Sequence, residues 1–149
     1  MYLKDIKLEK FDQIGIVVND LEKSAKMYQE LFNFKSGVNI VEQDASVVCR
    51  DQEGTYRMKK IMDFFGQKQL EIVEIIEAKG PNLYSEFLDE GKEGLHHLGI
   101  YVKDIEPLLN KFKTQFGVEV IQTGKVGKLT FHYLDTIDFL GYYLELIQF

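Results

Sequence analysis

The chain has 149 residues, of which 45% are hydrophobic, and a formal net charge of −6. This length and composition suffice for one domain with a buried core, which excludes a disordered chain. The negative charge and the scattered basic residues argue against a nucleic-acid-binding surface and favour small molecules or proteins as partners. No apolar run reaches the about 20 residues that span a bilayer, and the single cysteine, Cys49, cannot form an internal disulfide. We therefore expect a cytoplasmic globular protein with no membrane partner.

The first half of the sequence predicts a strand, a helix and then several more strands. Residues 10–18 turn from mixed to apolar, which suits a strand with one face on a core. Asn19 and Asp20 can cap a helix whose apolar residues recur every three or four positions up to Asn33. Two short strands at 34–41 and 45–50, joined by a turn at 43–44, are then predicted. A break at Gly54 is predicted to precede strands at 56–65 and 69–76.

The second half repeats this plan after a predicted linker at 79–94, which contains a short helix at 82–88. A strand at 95–102 leads into a helix that starts at Asp104, has Pro107 in its first turn and ends at Gly117. Strands near 118–122, 128–134 and 142–149 complete the chain. The predicted organisation is one module at 1–78 and a second at 95–149, which together form one compact domain.

An internal repeat relates the two halves. A shift of 84 positions lays Gln13 on His97 and Gly15 on Gly99. A second repeat aligns residues 69–75 with 143–149, and each of these apolar runs carries one central carboxylate. The sequence therefore predicts an α+β fold of two βαβββ modules that share a hydrophobic seam. Their strands would curl into a mixed-sheet cup, and the helices would cover its outside.

Alternation along the strands separates polar from apolar faces. Gln13 and His97 are the polar residues on the faces left to line the cup, and the opposite faces are apolar and suit the helices. Glu71 and Glu145 have apolar neighbours on their own faces, and a buried isolated carboxylate requires a partner. The pseudo-twofold relation of the modules would bring all four side chains to one point. An amide oxygen, an imidazole and two carboxylates favour a divalent metal ion with positions left open for water or substrate.

The cup lining is predicted to be mostly apolar, and Lys60, Met62, Tyr101 and Tyr143 are the residues expected to contact a substrate. Such a lining suits an acyl, aromatic or ketone group better than a highly charged one. His96 is expected to face away from the cup and to have a structural role.

The segment Gly-Leu-His-His-Leu at 94–98, with Val-Lys-Asp-Ile at 102–105, resembles methylmalonyl-CoA epimerases. The predicted ligand set is similar to the Gln-Glu-His-Glu pattern of zinc-type glyoxalase I. From residue 11 to 148 the chain thus resembles the vicinal-oxygen-chelate superfamily, also called the glyoxalase and bleomycin-resistance family. The resemblance implies a glyoxalase-like fold, a homodimer and one divalent ion, which zinc, nickel, cobalt or manganese would fit. It also points His132 into the cup near Glu145, as a substrate-facing acid.

Three positions depart from the patterns of these relatives. Lys60 stands about where the epimerases have a catalytic glutamate, and Val17 and Glu93 stand where glyoxalase I enzymes have arginines that hold glutathione. The resemblance alone therefore leaves open whether a thiol carrier is glutathione, coenzyme A or neither.

Three classes of function follow from the resemblance. The first is a glyoxalase- or epimerase-like lyase or isomerase acting on an acyl, ketone or thioester substrate. In it a metal polarises a carbonyl, and Glu145 or Glu71 moves the adjacent proton. The second is a non-catalytic, antibiotic-type binding protein, although such binders do not need an intact ligand set. The third is a ferrous dioxygenase, which is less favoured because Gln13 occupies the place of its first histidine.

Overall fold

Eight strands and four helices follow one another in the computed structural model, which describes residues 7–33 and 39–149. In chain order they are β1 (Gln13–Val17), α1 (Leu21–Leu31), β2 (Val41–Cys49), β3 (Gln52–Phe65), β4 (Lys68–Lys79), α2 (Leu83–Asp89), β5 (Gly94–Val102), α3 (Glu106–Phe116), β6 (Val120–Val126), β7 (Leu129–Leu134), α4 (Ile137–Leu140) and β8 (Tyr143–Gln148). Within the described ranges, none of the helices has both the length and the apolarity needed to cross a membrane.

The strands form one sheet that closes on itself in the order β1-β4-β3-β2-β6-β7-β8-β5. The four strands of the first half lie side by side, as do those of the second half. Within each half the first and last strands pair in parallel, β1 with β4 and β5 with β8. The halves meet where β1 pairs with β5 and where β2 pairs with β6. The predicted α+β cup built from two βαβββ halves is therefore confirmed.

Helices α1 and α3 cover the outside of the sheet, as the outward apolar residues predicted. The Asp20 side chain caps α1 by accepting a hydrogen bond from the Lys23 backbone N–H, and α1 packs on the outward residues of β1 and β4. Gly117 ends α3 in a left-handed conformation with φ of 65°. This helix packs on the outward residues of β5 and β8. Both helices thereby leave the inner face of the sheet free.

Helix α2, which lies in the predicted linker, packs differently. Its residues Leu83, Tyr84 and Phe87 are buried in the cluster of inward-facing side chains, together with Val17 and Val73. This helix therefore covers part of the inner face of the sheet.

The region between α1 and β3 differs from the prediction. Part of the strand predicted at 34–41 lies outside the described residues. The turn predicted at 43–44 is wrong, because both residues continue the ladder between β2 and β3. The chain reverses instead at Arg50 and Asp51, whose φ values of 50° and 67° match a tight hairpin turn. The break predicted at Gly54 is also wrong. This glycine lies inside β3, where a Cβ atom would overlap the backbone carbonyl of Pro81.

Candidate metal centre

Strands β1 and β5 each contribute one of the predicted ligands at the point where the two halves meet. Gln13 pairs with Gly99, and Gly15 pairs with His97, so each polar side chain stands opposite a glycine of the other half. A Cβ atom on Gly15 would overlap the His97 ring, and one on Gly99 would lie 3.1 Å from the Gln13 Cβ. The repeated glycines therefore leave the space that these two side chains occupy.

The four predicted ligands lie together inside the cup. Nε2 of His97 is 3.2 Å from Oε1 of Gln13, 3.5 Å from Oε1 of Glu71 and 4.0 Å from Oε2 of Glu145. None of the four residues is more than 6% exposed. The two carboxylates come from the parallel neighbours of β1 and β5, since Glu71 pairs with Gly15 and Glu145 pairs with Gly99.

These donor atoms fit a divalent ion. Two ligands about 2.1 Å from one ion, at angles of about 90–110°, lie about 3.0–3.4 Å apart. The separations of 3.2 and 3.5 Å from His97 Nε2 are close to this range, and the 4.0 Å separation from Glu145 is longer. A set of oxygen donors with one imidazole nitrogen suits several divalent ions.

Hydrogen bonds fix the orientation of the Gln13 amide. Its Nε2 donates to Oε1 of Gln69 at 3.3 Å, and the Tyr101 hydroxyl donates to the same oxygen at 3.0 Å. Because the amide nitrogen is engaged in this way, the amide oxygen of Gln13 faces His97. Gln69 is therefore a supporting residue that reasoning from the sequence missed.

The two carboxylates have different electrostatic surroundings. Burial alone raises the pKa of Glu71, but the hydrogen bond with His97 and the charges of His97 and Lys60 outweigh burial and lower it. Burial raises the pKa of Glu145, and the nearby charge of Glu71 adds to that increase. Burial lowers the pKa of His97, yet the two carboxylates outweigh this and raise it. In the ion-free protein, Glu145 is thus the carboxyl group with the higher affinity for a proton.

His96 also faces the interior, so the prediction that it faces away is wrong. The register between β1 and β5 shifts between Gly15 and Ile16, which leaves His96 as an extra residue in a β-bulge. Nδ1 of His96 lies 2.9 Å from Nδ1 of His97, and neither histidine is exposed. Strict alternation along a strand does not hold across a bulge, which explains the error.

A cavity of about 210 Å³ is lined by three of the four predicted ligands, Gln13, Glu71 and Glu145. Lys60, Met62 and Tyr101 line it, and each was predicted to contact a substrate. Reasoning from the sequence missed Tyr84 and Tyr133, which line it as well. Their hydroxyl oxygens lie 2.8 Å apart, and the Tyr133 hydroxyl lies near the carboxylate of Glu145, where it acts to lower the pKa of that group against the effect of burial.

Two other predicted substrate contacts lie away from the cavity. The prediction that His132 faces the cup is wrong, because its neighbour Tyr133 takes the inward position in β7. His132 instead interacts electrostatically with Glu106 of α3 on the outside of the sheet. Tyr143 does face inward, but it packs against other rings, including Tyr133, in the buried cluster and does not line the cavity.

A second group of acidic residues lies outside the cup, where Asp20, Glu22 and Glu74 approach one another. The ammonium group of Lys59 lies 2.7 Å from Glu22 and 3.3 Å from Glu74, and Glu74 also accepts a hydrogen bond from the backbone of Leu21. Ion pairs and helix capping therefore account for this group without a metal ion.

Comparison with known proteins identifies the family of the chain. A family model described as the Glyoxalase/Bleomycin resistance protein/Dioxygenase superfamily matches residues 12–133. No curated protein matches the chain in sequence.

Solved structures share the fold over nearly the whole chain. A hypothetical protein from Bacillus halodurans is 20% identical, with a TM-score of 0.63 and coverage of 94% of each chain. Methylmalonyl-CoA epimerase from Mycobacterium tuberculosis is 18% identical, with a TM-score of 0.61 and coverage of 99% of this chain and 95% of that one. A Streptomyces coelicolor methylmalonyl-CoA epimerase in complex with 2-nitronate-propionyl-CoA is 20% identical, with a TM-score of 0.57 and coverage of 95% and 98%.

Identities this low establish the shared fold and leave the substrate unassigned. The family model, in contrast, covers most of the chain, including β1 with Gln13, β4 with Glu71 and β5 with His97. The chain belongs to the glyoxalase, bleomycin resistance protein and dioxygenase superfamily.

Proposed function

We propose that this protein is a metal-dependent isomerase or lyase that moves a proton on the carbon next to a carbonyl group. The observation that carries the proposal is the convergence of Gln13, Glu71 and Glu145 on Nε2 of His97. These four side chains would hold one divalent ion, which zinc, nickel, cobalt or manganese fits. When bound, such an ion polarises the carbonyl oxygen of a substrate and so acidifies the neighbouring C–H bond.

Glu145 is the residue proposed to take the proton. The carboxylate of Glu71 forms ion pairs with His97 and with the Lys60 ammonium group, each at 3.5 Å. Glu145 lies farther from His97, and its neighbour on the other side is the Tyr133 hydroxyl, which is uncharged. The Glu145 carboxylate accepts the proton from carbon, and the electrons of the C–H bond move toward the carbonyl oxygen. Return of a proton to carbon gives the epimer or the isomer.

The size of the cavity limits the part of the substrate that it encloses. About 210 Å³ is less than the about 300–1,000 Å³ of pockets that hold drug-sized ligands. The cavity therefore suits a small acyl or ketone group, and a thiol carrier would extend into solvent. Two of the structural neighbours are named as methylmalonyl-CoA epimerases, which supports a thioester. Among the described residues, Lys60 is the one basic side chain that lines the cavity.

Solvent deuterium exchange tests this proposal directly. Purified protein is analysed for metal and incubated in D₂O with 2-oxo thiohemiacetals and 2-methyl acyl-CoA thioesters, and NMR follows the hydrogen next to the carbonyl. We expect about one divalent ion per chain, and exchange that stops when a chelator removes it. His97→Ala should lose both the ion and the exchange. Stoichiometric metal in His97→Ala would contradict the site, and tight binding of these compounds without exchange would favour a binding protein.

We also propose a homodimer. Phe32 and Phe65 are both exposed on the outer surface, and their rings lie 4.9 Å apart. Exposed apolar clusters of this kind mark contact surfaces between proteins. Light scattering at micromolar concentration should give twice the monomer mass, and a monomeric mass would contradict the proposal.

A further inference from the structure

Two consecutive histidines lie in direct contact beneath the candidate metal centre. Nδ1 of His96 is 2.9 Å from Nδ1 of His97, and Nε2 of His97 points the other way, toward the oxygen of Gln13 at 3.2 Å. At 2.9 Å the two Nδ1 atoms share one hydrogen, so one of them donates and the other accepts. The donor and acceptor roles in this pair decide which nitrogen of His97 is free.

The two possible arrangements have opposite consequences for a metal ion. If His97 donates from Nδ1, its neutral ring keeps a lone pair on Nε2, where the oxygens of Gln13, Glu71 and Glu145 converge. If His96 donates instead, a neutral His97 must carry its proton on Nε2 and cannot bind a metal there. Ligating histidines generally donate their second N–H to a nearby acceptor, which fixes the tautomer and the orientation of the ring.

We propose that His96 is a positioning residue that accepts the Nδ1–H hydrogen bond of His97 and thereby holds Nε2 of His97 ready for a metal ion. The part of this inference that concerns the ion rests on the proposed function. The hydrogen bond between the two rings applies to the ion-free protein as well, in which Nε2 of His97 faces only oxygen acceptors and carries a hydrogen of its own.

The fold holds His96 in the orientation that this role requires. The β-bulge turns two consecutive side chains of β5 to the same face, which an unbroken strand cannot do. The His96 ring then packs among aromatic rings, with centroids 4.9 Å from Tyr84, 5.0 Å from Phe87 and 5.1 Å from Tyr143. Two of these rings belong to α2, so the helix in the predicted linker supports the histidine pair.

The remaining nitrogen of His96 suits the same assignment. If Nδ1 of His96 accepts, a neutral ring carries its hydrogen on Nε2. Within the described residues this nitrogen makes no hydrogen bond of standard geometry. The backbone of Leu83 in α2 is nevertheless close enough to the His96 ring to act against the effect of burial, which lowers the pKa of His96.

A pair of isosteric substitutions tests the role of His96. In His96→Asn the Oδ1 atom replaces Nδ1 at the same number of bonds from the backbone and can accept the hydrogen bond. In His96→Leu a methyl group takes that place, and both variants leave a gap of similar size in the aromatic cluster. Competition with a chromophoric chelator for Zn²⁺ then gives the metal affinity of each variant.

We expect His96→Leu to bind Zn²⁺ about 10- to 100-fold more weakly than the original protein. Because its hydrogen bond is restored, His96→Asn should lie within about threefold of the original. Equal affinities in the two variants, whether normal or reduced, would overturn the positioning role, because a packing effect alone does not distinguish them.

NMR of the unsubstituted protein provides a test that does not depend on whether the variants fold. The chain has only three histidines, so long-range ¹⁵N–¹H correlations can be assigned, with His132 on the outer surface as an internal reference. With Zn²⁺ bound, we expect a proton on Nδ1 of His97 and on Nε2 of His96. Without Zn²⁺, at mildly acidic pH, Nε2 of His97 should carry a proton as well. A proton on Nδ1 of His96 would overturn the inference. Absence of Zn²⁺ binding by the unsubstituted protein would instead contradict the proposed function, and the ion-free spectrum would still decide which of the two rings donates the hydrogen bond.

Discussion

The two halves of the cup place polar side chains at equivalent positions but support them differently. In the first half Gln13 is oriented near the cavity by Gln69, through a chain of hydrogen bonds that includes a tyrosine hydroxyl. In the second half His97 is oriented by His96, deep among aromatic rings. A duplicated backbone thus supplies matching positions, and the local neighbours then give each side chain its own constraints.

The carboxylates differ in the same way. Glu71 is paired with the ammonium group of Lys60 in β3, whereas Glu145 faces the hydroxyl of Tyr133 in β7. A cation lowers the affinity of a carboxylate for protons, and a buried phenol does so less. Under the proposed function, this difference assigns the anchoring of the ion to Glu71 and the transfer of the proton to Glu145.

The largest effect should come from exchanging the two carboxylates for amides one at a time. Glu145→Gln keeps an oxygen that can bind metal but removes the proton acceptor, so turnover should fall about 10²- to 10⁴-fold. Glu71→Gln should lower turnover about tenfold or less once metal is saturating, because it removes an anchor and not the base. Rates of deuterium exchange at saturating Zn²⁺ give the turnover of both variants. Measurement of the bound metal in each variant is the control for loss of the ion. An equal or greater loss in Glu71→Gln would reverse the assignment.

The two glycines opposite the ligands should also respond unequally. An added Cβ on Gly15 overlaps the fully buried His97 ring, whereas one on Gly99 meets Gln13 and Ile147 at 3.1 to 3.2 Å. Gly15→Ala should therefore destabilise the ion-free protein by about 1–3 kcal/mol, as overpacking of a core does. It should also displace His97 and weaken Zn²⁺ binding.

Gly99→Ala is the matched control, and it should cost less than about 1 kcal/mol. Urea unfolding in the presence of a chelator gives both values. Equal destabilisation by the two substitutions would show that the halves are closer to symmetric than their contacts indicate.

The internal repeat is the reason that much of the site could be predicted from the sequence. Because strand residues alternate between faces, matching positions in two repeats place Gln13, Glu71, His97 and Glu145 on the inner face without knowledge of exact strand ends. The cap at Asp20 and the stop at Gly117 likewise depend on local chemistry, and both were predicted correctly.

The errors arise where the structure departs from local rules. The bulge that turns His96 inward depends on the pairing of β1 with β5, which are about 80 residues apart in the chain. The position of His132 was inferred from alignment near a turn, where a shift of one residue reverses the face of every side chain. The contribution of α2 to the core depends on long-range packing that composition does not reveal. The sequence shows the apolar residues at positions 83, 84 and 87 but not the side chains that they contact.

Titration of His97 should make the thermal stability of the ion-free protein depend on pH. Burial lowers the pKa of His97, but Glu145 and Glu71 outweigh burial and raise it above its ordinary value of 6.5. The resulting stabilisation is fully present below pH 6.5 and is lost as pH rises through the raised pKa of the folded protein. With a chelator present, the midpoint temperature of thermal unfolding should therefore decrease as the pH rises from 6.5 into the alkaline range.

Metal binding should show the opposite trend, because an ion competes with the proton on His97 and its affinity rises with pH. His97→Gln is the control, since it has no imidazole to titrate and should lose this part of the pH dependence. A thermal midpoint of the ion-free protein that rises from pH 6.5 to 8.5 would contradict the assigned direction of the His97 pKa.

The smallest effect on Zn²⁺ affinity should come from changes to Gln69 and Tyr101, whose hydrogen bonds orient the Gln13 amide. Gln69→Leu leaves Nε2 of Gln13 without its acceptor, so the amide is free to turn its oxygen away from His97. A single hydrogen bond contributes about 0.5–1.5 kcal/mol, which corresponds to a loss of about 2- to 12-fold in Zn²⁺ affinity. Tyr101→Phe removes the second donor to Gln69 but keeps the bond from Gln13, and it should change affinity less than about twofold. Since His96→Leu is expected to cost about 10- to 100-fold, the same chelator competition ranks the two supports. A larger loss in Gln69→Leu than in His96→Leu would mean that the amide, and not the imidazole, is the ligand whose orientation limits metal binding.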